Sequence, residues 1–431
     1  MSTPERQKRS PWQPCTARDW HQMQIKRQFA ITLGKMLQNA PTSSDDREVP
    51  YLKAQHVQWG GVRIEDLPTM WASPQEVEAT AVRDGELLVC EGGEVGRAAI
   101  LSGTPPENTI IQNALHRVRG RSDAQPRFLA YLLRHAASQE WFEVLCNRST
   151  IAHFTVEKFG EMWAWIPAAT EQRAIAEYLD REIAHIDSLI AAKEKPLAFL
   201  AEKRRAIITH AVTRGLNPQA PLRDSGVHWL GEIPAHWKTE RAKWLFRERD
   251  QRSATGEEEL LTVSHITGVT PRSEKDVNMF EAETTEGYKI CAARDLVINT
   301  LWAWMGAMGV APVDGIVSPA YNVYEPGPQL EPGYVDALVR LLVFAQEVTR
   351  YSKGVWSSRL RLYPEGFFEA WFPLPRREEQ REIVAYIAAE TTKLDTLHAA
   401  TQRTIALLRE RRAALIGAAV TGQIPVPEVS A

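Results

Sequence analysis

The sequence contains few of the features that mark membrane-bound or disulfide-rich proteins. Its 431 residues include four cysteines, which lie far apart and form no CxxC pair. Scattered cysteines in a chain of this length favour reduced thiols over disulfides or a zinc site. No run of about 18 apolar residues occurs, and the N-terminal stretch MSTPERQKRSPWQP lacks the apolar core of a secretory signal. We therefore expect a cytoplasmic protein without a membrane span.

The motifs of catalytic and cofactor-binding sites are also missing. The stretch GGEVG at 92–96 lacks the lysine of a phosphate-binding loop, and we predict a turn between two strands there. TPPE at 104–107 lacks the first polar residue and the closing aromatic residue of the [DN]PP[YF] loop of amino-methyltransferases. The sequence has no HExxH motif and no Cys/His cluster at metal-binding spacing. We expect a protein that is not an enzyme and that binds neither a cofactor nor a metal.

One helix-like stretch is present twice. EQRAIAEYLDREIAHIDSLI at 171–190 returns 208 residues later as EQREIVAYIAAETTKLDTLH at 379–398. The two segments end alike, in HAVTRGLNP and AAVTGQIPVP, and the regions that precede them correspond more loosely. Similarity over such a range indicates a tandem duplication of a globular head followed by a helix.

Both repeated segments carry an apolar stripe that steps by alternating four and three residues, the spacing of a coiled coil. The residues predicted to pair the helices are Leu179, Ile183, Ile186, Ile190, Leu197, Leu200, Ile207, Ile387, Leu394, Ile405, Leu408 and Leu415. The alternative is a surface helix that packs only on its own domain. Pro196 has no counterpart in the second copy and should kink or interrupt the first helix.

An antiparallel pairing of the two helices would separate two similar heads around an internal pseudo-two-fold axis. Duplex DNA is the commonest target for a protein of this symmetry, because half-sites mirror the symmetry of the protein. Short apolar runs in 49–120 indicate a small sheet, and 126–146 and 332–352 indicate helices that begin at a proline. We predict an α+β fold with these boundaries: first head 1–165, first spacer helix 166–216, second head 217–372, second spacer helix 373–425 and tail 426–431.

The net charge of −3 excludes a uniformly basic chain, so DNA contacts would have to come from local patches. The segment 350–361 contains no acid, its counterpart is 147–154, and 116–127 and 238–252 are basic as well. The candidate DNA-binding residues are Arg117, Arg119, Arg121, Arg148, Ser149, Thr150, Lys353, Trp356, Ser357, Ser358, Arg359 and Arg361. The alternative for each patch is a solvated face without a partner. The recurrence of basic patches at equivalent places in both copies favours a DNA interface.

The repeated segments resemble those of the DNA-specificity subunit of Type I restriction–modification systems. The resemblance is carried by PAATEQRAI at 167–175, PLPRREEQREI at 373–383, the spacer ends EKRRAIITHAVTRGLNP and ERRAALIGAAVTG, and SGVHWLGEIPAHW at 225–237. It covers nearly the whole chain, except that 11–20 has no clear counterpart of GEIPxxW.

The resemblance implies that each head, as a target-recognition domain, recognises one half of a bipartite double-stranded DNA target. It also implies that the helices set the gap and dock two methyltransferase subunits, joined by translocase–nuclease subunits. Methyl transfer and cleavage would belong to those partners.

Three alternatives are open. The chain could be the specificity polypeptide of a different restriction assembly. A self-contained DNA methyltransferase or nuclease is disfavoured because no cofactor motif is found. A scaffold that binds only proteins would show no salt-sensitive affinity for DNA.

Overall fold

The chain folds into two compact units. The computed structural model describes residues 10–17, 19–146, 153–274, 284–354 and 360–426. The first unit comprises 1–194 together with 403–431, and the second comprises 195–402. Within the described residues no helix is both long and apolar enough to span a membrane.

The first unit contains most of its strands before residue 121. The strands are β1 (His21–Gln24), β2 (Phe29–Leu33), β3 (Arg47–Leu52), β4 (Val57–Gln58), β5 (Gly61–Val62), β6 (Thr69–Ala72), β7 (Leu87–Cys90), β8 (Ala98–Ile100), β9 (Ile110–Ile111), β10 (Leu115–Gly120) and β11 (Trp163–Ile166). The helices that begin in this unit are α1 (Pro74–Thr80), α2 (Pro126–Ser138), α3 (Trp141–Leu145), α4 (Val156–Glu161) and α5 (Ala169–Arg214).

The main sheet of the first unit is antiparallel, in the order β2-β10-β7-β8. Each residue of the inner strand β7, LLVC, is buried, which explains its unbroken apolar run. Smaller sheets pair β1 with β11, β4 with β5, and β3 with both β6 and β9. Apolar residues of α2, among them Phe128 and Leu132, pack on the main sheet in one core. The predicted turn at 92–96 lies between β7 and β8.

The second unit follows the same plan. Its strands are β12 (Leu222–Asp224), β13 (Glu232–Pro234), β14 (Lys238–Arg241), β15 (Phe246–Arg249), β16 (Leu261–Ser264), β17 (Gly268–Pro271), β18 (Lys289–Cys291), β19 (Leu296–Asn299), β20 (Met308–Val310), β21 (Gly315–Val317), β22 (Tyr321–Pro326) and β23 (Trp371–Leu374). The remaining helices are α6 (Ala242–Leu245), α7 (Pro332–Val339), α8 (Leu342–Arg350), α9 (Pro364–Phe368) and α10 (Arg377–Val420).

The main sheets of the two units have equivalent strand orders. In the second unit the order is β15-β22-β19-β20, and the inner strand β19 is buried throughout. The pair β14–β23 corresponds to β1–β11. The smaller sheets differ, because the second unit pairs β16 with β17, β18 with β21 and β12 with β13. The predicted α+β fold with a duplicated head and two long helices is confirmed.

The helix predicted over 126–146 is interrupted. It begins at Pro126 as predicted, but α2 ends at Ser138 and Glu140 adopts a left-handed φ of 54° before α3. In the second unit an extended residue, Leu341, separates α7 from α8. The pieces on either side of each break bury apolar residues in one core, so the helical periodicity persists across it.

The glutamine of the repeated EQR motif is fully buried in both units. The Gln172 Oε1 atom accepts a hydrogen bond from the backbone N–H of Gln125 at 2.9 Å, and Nε2 donates to the carbonyl of Pro167 at 2.9 Å. Gln380 makes the equivalent two bonds in the second unit, at 2.8 and 2.9 Å to the backbone. The first turn of each long helix is thereby fixed to the head that precedes it.

The glutamate of the EQR motif has an equally repeated partner. Glu171 accepts a hydrogen bond from the indole N–H of Trp20 at 3.0 Å, and Glu379 accepts one from Trp237 at 2.9 Å. Trp20 and Trp237 directly precede the equivalent strands β1 and β14. The same tryptophan–glutamate contact therefore occurs at the start of each long helix.

The helices α5 and α10 pack against each other in antiparallel directions within both units. Their ion pairs are Asp187–Arg412 and Glu194–Arg409 in the first unit and Arg204–Asp395 in the second. The direction follows from the first unit, where a higher residue number on α5 meets a lower one on α10. Because Asp187 corresponds to Asp395 and Arg204 to Arg412, the first and third pairs are two copies of one interaction.

The predicted pairing stripe lies away from solvent. Its buried members are Leu179, Ile183, Ile186, Ile190, Leu200, Leu394 and Ile405, and its half-buried members are Leu197, Ile207, Ile387, Leu408 and Leu415. In the first unit Leu179 and Ile183 share a core with Ile416 of α10. Pro196 lies inside α5, which continues from Ala169 to Arg214, so the proline does not interrupt the helix.

Candidate nucleic-acid interface

The described ends of the basic segment 350–361, at Lys353 and Arg361, lie at one end of the main sheet of the second unit. The backbones of Lys353 and Arg361 exchange two hydrogen bonds of 2.9 Å each. The next residue, Leu362, donates its backbone N–H to the carbonyl of Thr300 at 3.0 Å, and the Nε atom of Arg361 donates to Thr300 Oγ1 at 3.2 Å. Thr300 directly follows β19, so the segment is held beside the turn between β19 and β20.

Charge and exposure suit this segment to a polyanion. Lys353 is exposed, and neither Lys353 nor Arg361 forms an ion pair with another residue that the structure describes. The Arg361 guanidinium lies 5.4 Å from the ring centre of Tyr363. Arg350, at the start of the segment, is instead paired with the buried Glu347 at 3.1 Å. Two cations are thus available at this end of the sheet.

The counterpart segment of the first unit reaches the equivalent place. Phe154 donates its backbone N–H to the carbonyl of Glu91 at 2.8 Å, and Glu91 directly follows β7. His153 contacts the Glu91 carboxylate at 2.9 Å. The structure therefore brings the end of 147–154 and the end of 350–361 to equivalent turns. The predicted residues Arg148, Ser149, Thr150, Trp356, Ser357, Ser358 and Arg359 lie outside the described residues.

A buried histidine supports the segment in the first unit. His116 of β10 is fully buried, and its Nε2–H donates to the carbonyl of Phe154 at 2.6 Å. Burial lowers the pKa of the imidazole, because the charged form loses hydration. Asn322 occupies the equivalent position of the second unit. His116 pairs with Val89, the next-to-last residue of β7, and Asn322 pairs with Ile298, the next-to-last residue of β19. The two heads therefore differ in a titratable group next to this edge.

The arginines Arg117, Arg119 and Arg121 of the basic segment 116–127 are not part of the same edge, and residues 116–120 lie in strand β10. Arg117 is 5% exposed and its guanidinium donates to the carbonyl of Ala81 at 2.5 Å, so we remove it from the DNA-binding set. Arg119 forms an ion pair with Glu86. Arg121 is exposed, but it follows the end of β10 that lies away from the turn between β7 and β8. Arg117 and Arg119 lie two positions apart in β10, so their side chains share one face of the sheet, where each has a partner inside the unit.

The basic segment 238–252 is largely neutralised inside the second unit. Arg241 and Lys243 both pair with Glu369, and Arg249 pairs with the buried Asp295 at 2.7 Å. These contacts connect elements of one fold and use the charge of Arg241, Lys243 and Arg249 inside it.

An aromatic turn that the sequence reasoning did not single out lies beside Arg361. The residues LWAWMG connect β19 to β20, and the rings of Trp302 and Trp304 stack with 6.2 Å between centroids. The sequence already contained a signal for this turn. Two tryptophans lie close together in a stretch without polar residues that does not follow the periodicity of a strand or a helix. Among the described residues, no group of three or more His, Cys, Asp or Glu side chains is placed to hold a metal ion.

Comparison with known sequences gives a match in the first half of the chain. Residues 18–196 match the family model of the Type I restriction modification DNA specificity domain. A provisionally named specificity subunit of the type I restriction enzyme MjaX, from Methanocaldococcus jannaschii, is 24% identical over 145 residues. That alignment covers 33% of this chain and 32% of the relative, so the chain matches about a third of the relative's length.

Two solved chains share the fold over most of the length. A chain from a structure that concerns complex assembly and conformational transition of the type I R-M system has a TM-score of 0.68 at 16% identity, covering 95% of this chain and 99% of that one. The HsdS subunit from Thermoanaerobacter tengcongensis has a TM-score of 0.55 at 16% identity, with coverage of 94% and 98%. At this identity the likeness concerns the fold alone. The resemblance predicted from the sequence is confirmed, because residues 18–196 match the model of the Type I restriction modification DNA specificity domain.

Proposed function

We propose that the chain is the DNA-recognition subunit of a Type I restriction–modification enzyme. Each head recognises one half of a bipartite duplex target, and the paired helices set the gap between the halves. The observation that supports this most directly is the repetition of the main sheet, in which a predicted DNA-contacting segment reaches the turn after β7 and the turn after β19. Two equivalent DNA-binding surfaces suit a target made of two half-sites, because the symmetry of the half-sites mirrors that of the protein.

We further propose that the chain carries no catalytic activity and works with partners. Two methyltransferase subunits would dock on α5 and α10, and translocase–nuclease subunits would join them. The duplication supports a pair of equivalent docking sites, because the two helices carry the same motifs. Methyl transfer by the purified chain alone would contradict this assignment and favour the self-contained enzyme.

The first test is selection of a target from a random pool of duplexes by the complete chain, followed by titration at several salt concentrations. The proposal predicts a two-part target and an affinity that falls steeply as salt rises. A protein-only scaffold would show neither.

Arg361 tests the position of the interface in the second unit. Arg361→Ala should weaken binding to the second half-site and lower the salt slope by about one unit, as expected for one lost phosphate contact. Arg247→Ala is the matched control, because Arg247 is exposed in β15 and faces Glu325, at the far end of β22 from the turn. Equal effects of the two variants would contradict the assigned edge.

The spacing role has its own test. Four residues added to α5 lengthen it by about 6 Å, close to two base-pair steps. The proposal predicts a changed gap in the selected target with unchanged half-sites. A changed half-site with the original gap would contradict the role of the helices as a spacer.

A further inference from the structure

The turn between β19 and β20 places large apolar side chains in solvent. Leu301 is 46% exposed and Trp302 is 50% exposed, and the ring of Trp302 stacks on that of Trp304 at an angle of 18°. Single exposed apolar residues are common on protein surfaces, but two adjacent ones on a turn are not needed by the core and point to a ligand.

The turn is held in a fixed conformation. Trp302 donates its backbone N–H to the carbonyl of Asn299 at 3.0 Å, and its own carbonyl accepts from the N–H of Ala307 at 3.1 Å. The indole N–H of Trp304 donates to the carbonyl of Leu301 at 3.1 Å, and Ala303 is buried in the core. A rigid apolar tip loses little conformational entropy when it meets a ligand.

The surroundings of the tip indicate the kind of ligand. Thr300, which precedes the tip, accepts a hydrogen bond from Arg361 Nε at its hydroxyl and one from the backbone N–H of Leu362 at its carbonyl. Lys353 is joined to Arg361 by the backbone pair, so two cations lie in the same stretch of surface as the tryptophans. Cations beside exposed aromatic rings match the phosphates and bases of a nucleic acid.

The equivalent turn of the first unit has different chemistry. Glu94 occupies that turn, where it accepts a hydrogen bond from the indole N–H of Trp59 at 2.9 Å and pairs with Arg97 at 2.7 Å. The residues between β7 and β8 are EGGEVGR and include no aromatic side chain. The apolar tip is therefore a property of the second unit.

We propose that Leu301 and Trp302 form an apolar wedge that inserts against the base stack of the half-site recognised by the second unit. Trp304 supports the ring of Trp302 from behind, and Arg361 and Lys353 hold the adjacent phosphates. Side chains of this kind partially unstack a base step and bend the duplex, which makes the sequence at that step part of the recognition. The inference rests on the proposed function and adds a base-contacting element to it.

The experiment compares Trp302→Ala and Trp302→Phe with the control Trp244→Ala in the complete chain. Trp244 is 69% exposed and lies two residues before Phe246. Phe246 pairs with Pro326, the last residue of β22, whereas Asn299, next to the wedge, pairs with Tyr321, the first residue of β22. The control tryptophan therefore lies at the opposite end of β22 from the wedge. The probes are duplexes that carry the target selected by the wild-type protein, with 2-aminopurine placed in turn at each adenine or guanine of both half-sites.

The wild-type protein should raise 2-aminopurine fluorescence at one step of the second half-site. Trp302→Ala should abolish that signal and weaken binding by about 5- to 150-fold, the range for loss of one aromatic–base contact, while Trp302→Phe retains part of both. Trp244→Ala should match the wild type. Thermal melting of all variants checks that the heads remain folded.

The outcomes separate the wedge from the proposed function. Wild-type binding without salt dependence or selected target overturns the proposed function itself. Salt-sensitive, selective binding that is the same in Trp302→Ala and Trp244→Ala overturns the wedge alone. Unchanged DNA affinity combined with weaker capture of a methyltransferase subunit would assign the tip to a protein partner and would also overturn the wedge.

Discussion

Removal of the buried glutamine from the repeated motif should destabilise one unit and leave the other intact. Gln172→Ala deletes the bonds to the backbone of Gln125 and Pro167, both of 2.9 Å, in a place where the side chain has no solvent exposure. A buried polar group that loses its partner costs about 1–3 kcal/mol. Two such groups are left, and the N–H of the half-buried Gln125 should cost only about 1 kcal/mol, so we expect a loss of about 2–4 kcal/mol in the free energy of unfolding of the first unit.

The measurement has to distinguish the two units. Hydrogen exchange of the backbone amides in α2 and at the start of α5 reports on the first unit, and exchange in α7 and at the start of α10 reports on the second. Gln172→Ala should accelerate exchange in the first set by about 30- to 1000-fold, which is the same free energy expressed as an opening constant. Gln380→Ala should reverse the pattern.

Gln402→Ala provides the matched control, because Gln402 is an exposed glutamine on α10. Gln402→Ala should change the opening free energy of neither set of amides by more than about 0.5 kcal/mol. Equal exchange in Gln172→Ala and Gln402→Ala would refute the reasoning. The same would follow if Gln172→Ala accelerated exchange uniformly in both units, since the motif would then not act on the head that precedes it.

Two further predictions concern the same elements. Because burial lowers the pKa of His116, the folded first unit binds fewer protons than the unfolded chain, so stability is lost as pH falls below about 6.5. His116→Asn, which copies the residue of the second unit, should reduce the slope of the unfolding free energy against pH by up to ~1.4 kcal/mol per pH unit, as measured by thermal melts at several pH values. An unchanged slope would assign the pH dependence to His56 and His135, whose pKa values burial also lowers. Asp187→Arg should destabilise the first unit by about 0.2–1 kcal/mol, and adding Arg412→Asp should recover the loss in a double-mutant cycle. Additive losses would contradict a direct ion pair.

The sequence predicted those parts of the fold that depend on local pattern. The apolar runs around Leu87 and Leu296 form the inner strands, and the four–three stripe forms the buried side of α5 and α10. These predictions hold because burial of one face leaves a periodic record in the chain. The breaks at Glu140 and Leu341 could not be predicted, because the same core covers the helices on both sides and preserves the period.

The candidate interface was only partly predictable. Charge in the sequence does not show whether an arginine faces solvent or an internal carbonyl, and Arg117 illustrates the second case. The edge that unites Arg361 with the tryptophan turn depends on contacts between residues 61 positions apart, such as that of Arg361 with Thr300. Local sequence patterns carry no information about contacts between residues that are far apart in the chain. The duplication indicates only that a contact made in one head has an equivalent in the other.

The likeness of the two helices at their far ends has a structural cause. The start of α5 is fixed in the first unit by Gln172, whereas its end belongs to the second unit, where Tyr334 donates its hydroxyl proton to the carbonyl of Val212 at 3.0 Å. The end of α10 lies in the first unit, where Gln13 donates to the carbonyl of Val420 at 2.8 Å. Val212 and Val420 are 208 residues apart and occupy the same place in the repeat. Each helix therefore has to fit one head at its start and the other at its end, so substitutions at either end are constrained by a different core. This double requirement explains why both helices keep the motif EQR at the start and AVT at the end, while many residues between the two motifs differ between the copies.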